Sequence, residues 1–160
     1  MNRHSMISRV VIGGSLAAFA LAGCASTQEA KKKSPAEIVS ERQRLMKLHG
    51  AVWKDIQDKA KANNIEAIEV SAETLALSAQ RIAAAFPEGS MTPESKAKPE
   101  VWTKWPEFEA SAKKLETESI RLRDTAKAKN AEGTQAIVKD FGRTTCGACH
   151  TPFRVPPPRS

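Results

Sequence analysis

Residues Thr144–Arg154 read TTCGACHTPFR. The segment sets Cys146 and Cys149 one helical turn apart, with His150 directly after the second cysteine. It closes a run that reads as the end of a helix, because VPPPRS follows and so many prolines cannot continue one. Two thiols and an imidazole at this spacing suit a metal site, a redox dithiol or a covalently held cofactor. The rest of the chain separates these readings.

The N-terminus points to export. Arg3 and Arg9 make a short basic start, and Val10 to Ala22 is an apolar run without a charge. That run is shorter than the about 20 residues a membrane-spanning helix needs. It fits the apolar core of a secretory signal. It ends in LAGC, Leu21 to Cys24, which resembles the bacterial lipobox. The resemblance implies cleavage before Cys24 and lipid on that residue, so residues 1–23 are read as a lipoprotein signal peptide. Several acyl chains on one residue anchor stably, since two lipid signals already suffice. Ala25 carries no acidic retention signal, which favours the outer membrane and a periplasmic-side location. Residues 24–34, with three consecutive lysines, read as a flexible tether.

The formal net charge is +7. Without Arg3 and Arg9 the 25 basic residues become 23, against 18 acidic ones, which leaves +5. The charges alternate along helices and no aromatic residues interleave them, so the pattern excludes a nucleic-acid surface.

Four helical segments follow the tether. The first starts at Ser34-Pro35, with Ser34 as N-cap and Glu37 in the first turn, and runs to about Asn63 with Ile38, Leu45, Val52 and Ile56 on one stripe. In the second, Ile65, Ile68, Ala72, Leu75, Ala79, Ile82 and Phe86 recur at steps of three and four, a seam for helix packing. FPEGS breaks it. A long loop from Pro87 to Thr103 follows, against which Trp102 and Trp105 are expected to act as anchors. The third helix opens at KWPEFE, with Phe108, Leu115, Ser119, Leu122 and Ala126 on one face. The fourth is expected to run unbroken from about Ala131 to His150, with Ile137, Val138, Phe141 and Ala148 inward. No strand pattern intervenes. The fold expected is therefore all-α, an antiparallel four-helix bundle over residues 35–154, with residues 155–160 as a tail.

In an exported, all-α chain, C-x-x-C-H reads as a site of covalent haem c attachment. Each thiol adds to one vinyl group, and His150, at i+4 from Cys146, reaches the iron as a ligand. A zinc site would need four ligands, and only His49 and His150 stand beside the thiols after the signal is removed. A thioredoxin-like dithiol belongs at the start of a helix after a strand, and this motif lies at the end of one. A structural Cys146–Cys149 disulfide would close too small a loop to contribute much.

The chain from about Pro35 to Arg154 resembles the cytochrome c′ family. The likeness rests on C-x-x-C-H with HTPFR on the last helix, on FPEGS and AKPEVW in the long loop, and on ERQRLMKLHG, Glu41 to Gly50, in the first helix. It implies that Met46 occupies the position facing the other side of the iron. A ligating Met46 makes a low-spin carrier of single electrons, and this methionine-ligated branch is the reading preferred. The alternative is a five-coordinate member that binds nitric oxide or carbon monoxide. His49, one turn on, is a rival ligand. The resemblance also implies that Arg42 lies by the haem, within reach of a propionate, and that Arg154 lies near the proximal side. Phe141, Phe153 and Trp53 are candidates to pack on the porphyrin. The partners expected are redox proteins, the membrane through Cys24, and a second copy through the first two helices. No substrate chemistry is expected, so the chain is not read as an enzyme.

Overall fold

The computed structural model describes residues 32–157. The signal peptide, the lipidation candidate Cys24 and most of the tether lie outside the described residues, as does the end of the tail. No described helix is long and apolar enough to cross a membrane.

Helix α1 spans Pro35–Lys61. Its start is a reciprocal cap: Ser34 Oγ accepts from the Glu37 N–H at 3.3 Å, and the Ser34 N–H donates to Glu37 Oε2 at 2.8 Å. Pro35 at the first position gives up a donor that would have no helical partner. Ser34→Ala is expected to lower the unfolding free energy by about 1 kcal/mol, read by urea titration. The inward stripe passes through Val39 rather than Ile38, with Leu45 and Ile56 also buried. Asn63, at φ 52°, turns the chain back.

Helix α2 spans Ile68–Ala79. The expected second helix is thus shorter than its seam. Regular α-helix begins one turn after Ile65 and gives way at Gln80 to a tighter 3₁₀ turn at Ala83–Ala85. The apolar seam persists through the change, because Ile65, Ile82 and Phe86 are all buried. Burial of the side chains, not helical hydrogen bonding, keeps the line intact.

The long loop contains one short helix, α3, at Glu100–Thr103. The Trp102 indole N–H donates to the Phe86 and Pro87 carbonyls at 3.0 and 3.2 Å, so it anchors the loop as expected. Trp105 packs on Phe108. The loop is also tied to the C-terminal segment: Lys98 N–H donates to the Phe153 carbonyl and Val155 N–H to the Lys96 carbonyl.

Helix α4, Trp105–Lys127, carries Pro106 in its first turn and buries Phe108, Ala112, Ser119, Leu122 and Ala126. Asn130 caps helix α5, Ala131–Phe141, by accepting from the Gly133 N–H at 2.9 Å. A Cβ at Gly133 would lie 2.9–3.0 Å from Asn130 and Thr125 side-chain atoms, so this turn admits only glycine without a shift.

The fourth helix is not continuous. Residues Gly142–Gly147 form a π-helical segment before α6, Ala148–Phe153. Ala148, expected inward, is exposed. A π turn carries an extra residue relative to an α turn, so it rotates the positions that follow it. That rotation sets aside the continuous α periodicity through Ala148.

Helix α2 packs on α4 and α1, and α5 lies against α4 and α1. The result is the expected helical bundle, and among the described residues β pairing is confined to one isolated bridge, Ala97 with Arg154. Two apolar clusters fill it. One is built round Ile56, Ile68, Leu75, Leu122 and Phe141. The other is built round Leu45, Ile82, Phe86, Phe108 and Phe153. Leu115 touches both.

Candidate functional site

A cavity of about 580 Å³ opens between α1 and the C-terminal segment. That volume lies within the range of pockets that hold small organic ligands and cofactors. Its wall is mostly apolar, with Val39, Leu75, Ile82, Phe86, Val101 and Phe108 among its residues.

The C-terminal wall is built by the π segment and α6. Phe141 stacks on Trp53 with ring centroids 4.8 Å apart, and Gly142 passes close to the same indole. That contact lies at the start of the π segment. Cys146, Cys149 and His150 then all reach the cavity wall, although they straddle the junction between π and α geometry. Both thiols are free and partly buried. Burial pushes the Cys146 thiol up, and burial with the neighbouring Cys146 pushes Cys149 up to about 11. Neither is a ready thiolate at neutral pH, which counts against a redox dithiol. His150 is exposed at the residue level but partly desolvated. Desolvation, then the Arg154 charge, lowers its pKa, so it offers a neutral imidazole.

The opposite wall is a stripe of α1. Arg42, Met46, His49 and Trp53, at steps of four, three and four, all line the cavity. Met46 is half-buried and packs on the second apolar cluster. Arg42 is 4 % exposed. Its guanidinium donates to Ser90 Oγ at 3.2 Å, the Ser90 carbonyl at 3.0 Å and Ser95 Oγ at 3.0 Å. It also lies 4.5 Å from the Phe86 ring centroid. Burial lowers its pKa, and no carboxylate pairs with it among the described residues. A buried guanidinium held only by neutral groups still lacks a counter-charge.

His49 carries a second unmet demand. Its Nε2 is buried without a hydrogen-bond partner. Burial lowers its pKa to about 4, against a smaller opposing contribution from the Ser78 carbonyl. The remaining charged wall residues, Lys47, Lys96 and Arg154, are all cationic and make no ion pair among the described residues.

The structure thus brings the predicted residues Cys146, Cys149, His150, Met46, Arg42 and Arg154 to one cavity. Phe153 and Trp53 line it too, whereas Phe141 lies behind Trp53. Sequence reasoning missed Lys47, Lys96, Ser111 and Thr145, and named His49 only as a rival iron ligand. The spacing of Arg42, Met46, His49 and Trp53 on one helical face was the signal for His49. Lys96 and Ser111 arrive from the loop and α4 and leave no local signal.

The residues fit a covalent c-type haem. Two thiols and a neutral imidazole share an apolar cavity with a buried cation that lacks a counter-charge.

Comparison with known proteins agrees. The family model described as cytochrome C′ matches residues 37–154. Cytochrome c′ of Pararhodospirillum photometricum is 31 % identical over 131 residues, covering 76 % of this chain and 98 % of that protein. Among solved structures, a cytochrome c′ with a ligand-controlled dimer dissociation aligns with a TM-score of 0.70 at 21 % identity, covering 78 % of this chain and 99 % of that one. A nitric oxide complex of a variant cytochrome c prime from Alcaligenes xylosoxidans aligns with a TM-score of 0.70 at 22 % identity, covering 79 % and 100 %. With the family model spanning the whole bundle and the haem-attachment residues gathered on one cavity, the chain belongs to the cytochrome c′ family.

Proposed function

We propose that this protein binds a diatomic gas, nitric oxide or carbon monoxide, at a haem that Cys146, Cys149 and His150 would hold. The family carries one c-type haem, and Cys146 and Cys149 are the residues placed to hold it. The haem supplies an iron centre that exchanges one electron and accepts a small ligand.

The chain supplies the rest. The two thiols would hold the haem covalently, and His150 would offer its neutral imidazole to the iron. Arg42, buried and lacking a counter-charge, is the group suited to a propionate. Arg154 adds positive charge beside His150. The apolar wall excludes water and admits a neutral gas.

The observation that carries the reading is the family match over residues 37–154, and a separate likeness to a variant cytochrome c prime solved as its nitric oxide complex supports it. It turns the balance away from the His/Met-ligated electron carrier expected from sequence, a preference the comparisons do not support. One feature favours that carrier as a second reading: the Met46 thioether does lie on the cavity wall.

The test is an absorption spectrum of the haem-loaded ferrous protein before and after carbon monoxide. Gas binding predicts a high-spin spectrum that shifts with carbon monoxide. It further predicts that Met46→Ala leaves the spin state unchanged and speeds gas association about tenfold, equivalent to roughly 1.4 kcal/mol off the entry barrier. A low-spin spectrum that ignores the gas, and turns high-spin in Met46→Ala, would establish the electron carrier instead.

Lipid anchoring through Cys24 on the periplasmic side remains part of this proposal. So does pairing of two copies, supported by the similar structure with a ligand-controlled dimer.

A further inference from the structure

We propose that Ser95 is a positioning residue for the haem cavity: its hydroxyl holds the buried Arg42 guanidinium in place and ties that charge to the segment that carries C-x-x-C-H. The inference rests on haem at this cavity and is independent of which small ligand the iron takes. Arg42 Nη2 donates to Ser95 Oγ at 3.0 Å. The same oxygen accepts the Ala97 N–H at 3.2 Å. Ala97 opens the AKPEVW stretch and forms the isolated bridge with Arg154. On either side of it, the Val155 N–H donates to the Lys96 carbonyl at 2.8 Å and the Lys98 N–H to the Phe153 carbonyl at 2.9 Å. One hydroxyl therefore joins a cation on α1 to the backbone just beyond His150.

Ser95 differs from the other group that holds Arg42. Ser90 reaches the guanidinium with its carbonyl at 3.0 Å as well as its hydroxyl at 3.2 Å, and that hydroxyl also donates to the Pro87 carbonyl at 2.6 Å. Replacing the Ser90 side chain leaves a backbone acceptor in place. The Ser95 contact is made by its side chain alone. Each N–H of the planar guanidinium fork that finds an acceptor narrows where the charge can sit. A cation held still in a mostly apolar cavity acts strongly on charge that changes beside it, because little water screens it. Ferric haem carries one more positive charge than ferrous haem, so a fixed Arg42 favours the ferrous form. Released at Ser95, the guanidinium can shift and hydrate, and that preference weakens.

The experiment measures the reduction potential of the haem-loaded protein in wild type, Ser95→Ala and Ser95→Thr. Ser95→Ala is expected to shift the ferrous-to-ferric ratio at a fixed applied potential about threefold toward ferric, the scale of one hydrogen bond. Ser95→Thr, which keeps the hydroxyl, should return most of the shift. In an Arg42→Gln background, which removes the charge, Ser95→Ala should move the potential no further, since the serine acts through the guanidinium. If Ser95→Ala fails to hold haem, the wild type still answers. Nitrogen NMR of the diamagnetic ferrous protein, with carbon monoxide added if the iron is high-spin, should show the Arg42 Nη groups as separate, slowly rotating signals.

A Ser95→Ala protein with lowered stability and an unchanged potential would overturn the proposal and make Ser95 a fastening of the loop only. An equal shift in the Arg42→Gln background would overturn it too, and so would freely rotating Arg42 Nη groups in the wild type. None of these outcomes touches gas binding, which the carbon monoxide spectrum decides alone.

Discussion

Replacing Cys146 and Cys149 together with serine is expected to leave no haem on the chain after denaturing electrophoresis, where the wild type keeps all of it. The cause is covalent. Each thioether needs its own sulfur, and no other cysteine occurs in the described residues. The folded protein should also lose stability. Cys146 packs against one apolar cluster and Cys149 against the other, so a tethered porphyrin would join the two. Losing a large buried aromatic group costs about 3–5 kcal/mol even in favourable cases. For a bundle of this size that corresponds to roughly 10 °C or more in Tm. The single variants separate the two thiols. Either alone should retain haem through one bond and show a weaker but positive haem stain. Haem that survives denaturation in the double variant would refute the attachment site.

Much of this site was legible because its chemistry is local. C-x-x-C-H is a contiguous signal, and the seam from Ile65 to Phe86 announced a packed helix. Residues Ile65, Ile68, Ala72, Leu75, Ala79, Ile82 and Phe86 are all buried, as their spacing implied. What escaped was geometry that periodicity does not encode. The π segment at Gly142–Gly147 cannot be read from a 3.6-residue pattern, and it begins where Trp53 from α1 stacks on Phe141 and lies against Gly142, a contact between distant parts of the chain. Ile38 and Val39 are equally apolar, and only the docking angle of α1 chose the second. Arg42 was expected beside the cofactor on resemblance. Its ties to Ser90 and Ser95 depend on a loop about fifty residues away, a pairing no local motif records.

Acid should destabilise the wild type far more than His49→Leu, and the difference should develop between pH 6.5 and about 4. The sign follows from the direction of the shift. Burial holds the folded-state pKa of His49 near 4, below the 6.5 of an exposed imidazole. Between those values the unfolded chain binds the proton and the folded chain refuses it. Stability therefore falls as pH falls through this window and is intact above it. A shift of this size corresponds to roughly 3 kcal/mol when complete. Desolvation explains why the folded chain refuses, and the neighbouring His150 adds a smaller contribution in the same direction. Urea unfolding of both proteins at pH 7, 5.5 and 4 measures the effect. The gap between them should change in favour of the leucine variant by about 3 kcal/mol across the range, whatever its value at pH 7. Two proteins whose stabilities fall in parallel would mean that His49 titrates as an exposed residue. Its ring would then be hydrated rather than buried.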